Sequence, residues 1–249
     1  MTAKKLLFCF HLFVFFVLLS FTNARSAYAV VLWYNGDFGY NPPATTANGI
    51  INGINTAVPA AQLYEDFNVP TGGWTINSVF SQDLMGFEGV TQAVWEIRGG
   101  VSAGDGGTLV AGGTGSATQT DLNNSFAGYE IYEIRVSGLD FFLPEGTYWL
   151  SVAPVGFGPT PIFDNTDQSF ISSSGGDNAV GTPAGDNGYA FFTSSAFSAF
   201  FVPSTDFIPT PDYSMGVDGL EGNHTVIPEP STLLLISTGL LGFGIRRKR

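Results

Sequence analysis

Leu143-Pro144-Glu145-Gly146-Thr147-Tyr148-Trp149-Leu150-Ser151-Val152 reads as a turn feeding a strand. Pro144 and Gly146 punctuate the chain, and the alternation that follows puts Tyr148, Leu150 and Val152 on one face with Trp149 opposite. The same period-2 pattern recurs upstream. Between Glu130 and Val136, Glu130, Tyr132, Ile134 and Val136 share a face and Glu133 and Arg135 take the other. Ala93, Trp95 and Ile97 alternate with Glu96 and Arg98, and Trp74, Ile76 and Phe80 fall on one face of the run 74–80. Further strands are expected near Ala29–Trp33, Gly107–Ala111 and Tyr189–Phe192. Gly, Asn, Asp, Ser and Pro separate these runs, and helix-favouring Lys, Glu and Gln are scarce. Many short strands with turn signals between them predict an all-β fold, a two-sheet antiparallel β-sandwich.

The two ends differ from this body. Lys4 and Lys5 precede an apolar run from Leu6 to Phe21, and Ala27-Tyr28-Ala29 supplies small residues for cleavage, with Ala27 and Ala29 at the two key positions. This predicts a signal peptide over residues 1–29, handled by a Sec-type export machinery and signal peptidase. Cleavage after Ser26 and an uncleaved N-terminal anchor are the alternatives. Cys9 lies inside the apolar run, so a lipoprotein reading fails. At the other end, Pro228-Glu229-Pro230 is followed by an apolar stretch from Ser231 to Ile245 and then by Arg246-Arg247-Lys248-Arg249. As a helix, 231–245 is about 22 Å long at about 1.5 Å per residue. That is short for a hydrocarbon core of about 30 Å. The prolines keep the helix from starting earlier, and the four cations are held on the cytoplasmic side.

Between residues 30 and 227 twenty acidic residues face only two bases, Arg98 and Arg135. Such a surface repels phosphate backbones, so no nucleic-acid partner is expected. With no cysteine and only His224 in this stretch, disulfides, thiolate chemistry and Cys/His zinc sites are excluded. About 200 residues rich in Phe, Val and Ile suffice for one domain with its own core. The expected organisation is a signal peptide (1–29), a β-sandwich domain (30–202), a last strand or linker and stalk (203–227), and the tail (228–249). The stretch 156–188 is dense in Gly, Pro, Ser, Asp and Asn and is expected as long surface loops.

The tail resembles the PEP-CTERM sorting signal of Gram-negative bacteria, in which a Pro-Glu-Pro motif, a Leu/Gly-rich transmembrane helix and an Arg-rich end follow one another. An ordinary C-terminal membrane anchor is the alternative. The resemblance covers about a tenth of the chain. It implies recognition by an exosortase, a membrane-embedded cysteine transpeptidase that removes the tail. It also implies a route through the inner membrane to the cell surface or extracellular matrix, in bacteria that make exopolysaccharide. Tails of this type sometimes carry an ice-binding label, which says nothing about the body. The order Trp74–Ile76, Trp95–Ile97, Tyr129–Val136 and Leu143–Leu150 also looks like the bodies of many PEP-CTERM carriers, which implies a jelly-roll-like domain and transfers no site.

Chemistry is sparsely signalled. Glycoside hydrolysis needs two carboxyl groups roughly 5–10 Å apart across a sugar site. Glu130 and Glu133 face opposite ways on a strand, Glu65-Asp66 is expected in an exposed loop, and Glu96 with Arg98 in an exposed pair. His224 sits a few residues from the tail, and no nucleophile elbow accompanies it. Gly104-Asp105-Gly106-Gly107 and Gly112-Gly113-Thr114-Gly115 lack the Lys of a phosphate loop and fit hairpin turns. Asp164, Asp167, Asp177 and Asp186 sit in Asx-turn contexts and are the weak candidates for a Ca²⁺ cage, with no other cofactor or metal expected. Trp149 is a candidate for stacking on a sugar or for packing under a loop. The resulting expectation is a non-enzymatic exported surface or matrix protein associated with exopolysaccharide. A carbohydrate- or matrix-binding module, Ca²⁺-dependent or not, is the alternative, and a secreted hydrolase comes third.

Overall fold

The computed structural model describes residues 29–39, 49–53, 61–156, 169–185, 187–195, 197–207 and 212–222. The expected signal helix, Ala27, Asp164, Asp167, Asp186, His224, the Pro228-Glu229-Pro230 motif, the tail helix and Arg246–Arg249 lie outside these residues. Ala29 is described and exposed, just ahead of the first strand.

The alternating runs become strands. In chain order they are β1 (Val30–Tyr34), β2 (Gly49–Ile51), β3 (Ala61–Val69), β4 (Trp74–Met85), β5 (Gln92–Gly99), β6 (Thr108–Phe126), β7 (Tyr129–Leu143), β8 (Gly146–Pro154), β9 (Ser169–Ser172), β10 (Phe191–Ser194), β11 (Ala199–Pro203) and β12 (Met215–Glu221). One 3-10 turn, Ser204–Asp206, follows β11. The paired strands are antiparallel, and the sheet order is β1-β12-β4-β7-β6-β5-β8-β3-β10-β11, with β9 beside β4 and β2 beside β9.

The expected two sheets are joined by hydrogen bonds into one curled sheet, and β6 is the reason. Its first half pairs with β5, from Gln92↔Ser116 to Gly99↔Thr108, and its second half with β7, from Ala117↔Val136 to Phe126↔Tyr129. A strand of nineteen residues spans both halves where the sequence suggested a short one at 107–111. Gly112-Gly113-Thr114-Gly115, expected as a turn, lies inside it. Gly115 is required there by close approach, because a Cβ would lie 2.6 Å from Val136 Cγ1. Gly104–Gly107 does close the β5–β6 hairpin, tied by Ser102 N to Asp105 O and the reverse pair.

The curl brings apolar faces of both halves together. Trp33, Ile76, Val79, Ile134, Val136 and Tyr213 from one half meet Leu63, Phe67, Trp95, Ile97, Leu150 and Val152 from the other in one buried cluster. Trp33 stacks on Phe67 at 5.3 Å and Trp95 on Phe141 at 5.7 Å. Full burial of a large apolar side chain contributes about 1.5–3 kcal/mol each. In β4 the expected face is corrected: the register shifts between Ile76 and Ser78, so Val79 joins this cluster and Phe80 is buried on the other face, against Tyr34 and beneath Arg135. A bulge inserts one unpaired residue and so reverses the alternation beyond it.

The stretch 156–188 contains more than surface loop. β9 is buried between β4 and β2, and Ser172 donates to the Gln82 carbonyl while Ser174 donates to that of Asn35. β12, within 203–227, is an interior strand between β1 and β4.

Candidate functional site

β3 carries the least expected chemistry. Glu65-Asp66, read as loop-exposed, sits mid-strand with Glu65 fully buried and Asp66 6% exposed. The ladder explains why a polar pair can be held there. β10 pairs with β3 only from Ala61 to Tyr64, so beyond Tyr64 that edge of β3 needs other partners. Thr182, Asn187 and residues 212–213 supply them. Asn68 N donates to Thr182 O, Tyr213 N donates to Glu65 Oε2 at 2.8 Å, and Asn187 Nδ2 donates to Asp66 Oδ1 at 2.9 Å. Asp212, also buried, accepts from Asn187 N and Gly188 N.

Three carboxyl groups therefore share one pocket of polar atoms. Burial, helped by the charges of Asp212 and Asp66, raises the Glu65 carboxyl well above the ordinary range. Asp66 is raised to about 6, chiefly by burial against the opposing Asn187 hydrogen bond. Glu65 Oε1 and the Tyr213 hydroxyl are buried with no hydrogen-bond partner. A sequence signal for Glu65 exists: Ala61, Leu63, Phe67 and Val69 alternate as an inward face, and position 65 falls on it.

A second place open to solvent is a shallow cleft of about 270 Å³ lined by Glu88, Gly89, Val90, Gln119, Asp121 and Tyr132. Tyr132 donates to Glu88 Oε1 at 3.0 Å, and its phenol is raised to about 12, first by burial and then by Glu88. Gln119 bridges the cleft wall, accepting from Val90 N and donating to Phe87 O. Asp121 accepts from Asn123 N where the β6–β7 register breaks. Glu88 and Asp121 thus flank one cleft, although both are exposed and already hydrogen-bonded.

The remaining candidates are placed as follows. Asp177 is exposed, and its carbonyl accepts from Asp37 N. Among the described residues no group of three His, Cys, Asp or Glu side chains is arranged to hold a metal ion. Glu96 and Arg98 pair at 2.6 Å but are half-buried, because Tyr64 donates to Glu96 and Arg98 lies over the packed rings of Tyr64 and Phe201. Trp149 packs against Phe191 with its indole N–H on the Tyr189 carbonyl, under the segment before β10. Glu130 is exposed and Glu133 is held by Arg135.

The described residues form an acidic, curled antiparallel sheet, which defines an all-β protein. The tail, residues 226–249, matches the PEP-CTERM protein-sorting motif, and such a tail makes the chain an exosortase-sorted protein that transits the membrane. No curated protein and no solved structure matches the chain.

Proposed function

We propose that this is a non-enzymatic surface or matrix protein of a Gram-negative bacterium, retained in or released into an exopolysaccharide layer after removal of its tail. The sorting motif at 226–249 carries the reading. The body's charge supports it: its two cations between residues 30 and 227, Arg98 and Arg135, are both spent in ion pairs with Glu96, Glu133 and Asp218, so the exterior is acidic and soluble. The curled sheet is read as a jelly-roll-like sandwich, a reading supported by the contacts between its halves across the core. The signal peptide at 1–29 and the short tail helix complete the route.

Intact mass of the chain recovered from the cell surface tests the processing. Chains from cells with an exosortase lack Arg246–Arg249, and chains from cells without one retain them. Retention in both, or no loss of surface material when the polysaccharide is not made, overturns the reading. A second reading, a carbohydrate- or matrix-binding module, is favoured by the Glu88–Asp121 cleft and by exposed Tyr189 and Phe200. Retention on a glycan array, compared with and without Ca²⁺, distinguishes it from the passive role.

A further inference from the structure

We infer that Glu65 is a proton latch: its neutral carboxylic acid fastens β3 to residues 212–213 and thereby to the 187–188 loop, and loss of its proton opens that junction.

The geometry is a ring of hydrogen bonds. Glu65 Oε2 receives Tyr213 N, the neighbouring Asp212 receives Asn187 N and Gly188 N, and Asn187 returns to Asp66, the residue beside Glu65. The ring seals β3 where β10 stops pairing with it. Within it Glu65 is 0% exposed and its second oxygen has no partner. A buried carboxylate of this kind needs a cation or several donors to stay charged. It has one donor. The charged or titratable groups around it are Asp66 on its own strand and Asp212 and Tyr213 on the segment packed against it, all of them anionic when ionised. Neither base of the body is among the groups that act on it: Arg98 is bound to Glu96 and Arg135 to Glu133 and Asp218.

The neutral acid removes the conflict. It keeps an acceptor for Tyr213 N and withdraws one negative charge from between Asp66 and Asp212. The sign follows: folding raises this carboxyl above its unfolded value, so the junction is stable at acid pH and is lost as pH climbs through the folded value. Asp66 contributes in the same direction, with its folded value at about 6. This inference is independent of the proposed surface role.

Hydrogen exchange on the full chain in detergent, followed as protection factors across pH, tests the latch. The Tyr213, Asn187 and Gly188 amides lose protection by about tenfold per pH unit once Glu65 titrates, because one unit corresponds to about 1.36 kcal/mol. Amides of the β4–β7 ladder, such as Val79, keep theirs. In Glu65→Gln, which imitates the neutral acid, Tyr213 protection falls with pH by less than in wild type, and what is left is the contribution of Asp66. Wild-type protection at Tyr213 that is independent of pH overturns the latch, as does an equal loss in Glu65→Gln. Recovery of Tyr213 protection at high pH on adding Ca²⁺, reversed by EDTA, also overturns it and shows a cation in place of the proton. If Glu65→Gln does not fold, the wild-type contrast between Tyr213 and Val79 decides alone.

Discussion

Asp83 shows at the residue scale how this fold treats carboxyl groups. It is fully buried on β4, and all its partners are neutral: Ser81, Asn52 and Ser169 donate to it. Burial outweighs those hydrogen bonds and raises it to about 7. An unfolded Asp titrates near ~3.9, so its contribution to stability is complete below that value and is lost as pH rises through about 7. Thermal midpoints of wild type are therefore expected to fall between pH 5 and pH 8. Asp83→Asn removes this titration, so its midpoint falls less over the same range. Parallel curves for the two proteins would show that Asp83 does not titrate in the folded state.

β6 sets the behaviour of the molecule at the scale of elements. Exposed along most of its length, it contributes few apolar contacts of its own, and its value lies in bridging β5 and β7. Gly115 stands at the changeover, directly over Val136. Gly115→Ala places a methyl 2.6 Å from Val136 Cγ1, and overpacking of this kind costs about 1–3 kcal/mol. Denaturant titration is expected to show a lower midpoint with an unchanged slope. A midpoint equal to wild type would mean that the Val136 side chain shifts to admit the methyl. β4 carries a related lesson: the alternation of Trp74, Ile76 and Phe80 was read directly from sequence, yet one bulge redirected Val79 inward and left Phe80 under the Arg135 guanidinium at 4.3 Å.

The whole molecule is a strongly acidic body with two clamped arginines. Twenty acids against two bases between residues 30 and 227 repel one another at low ionic strength. Screening shortens that repulsion to about 10 Å at 0.1 M salt. Raising NaCl at neutral pH is expected to raise the thermal midpoint by a few degrees, and a falling midpoint would show that the Arg98 and Arg135 ion pairs outweigh the repulsion. With one cysteine in the chain, at position 9, reductant leaves the body's midpoint unchanged.

The strand positions at 93–98, 130–136 and 147–152 were legible because alternation is local: each residue's face follows from its neighbour's. The C-terminal sorting segment was legible for the same reason, being contiguous in the chain. For Glu65 the local alternation of 61–69 marks an inward position, but what seals it was not legible, since its donor Tyr213 lies 148 residues away and the chain must return beside β3 to shield it. The joining of two expected sheets into one, the passage of Gly112–Gly115 through a strand, and the gathering of Glu88 with Asp121 at one cleft were likewise decided by pairing between distant segments. By itself the sequence determined strand character, charge and the sorting address. The tertiary structure decided which polar groups lose their water, because desolvation depends on what packs from elsewhere in the chain.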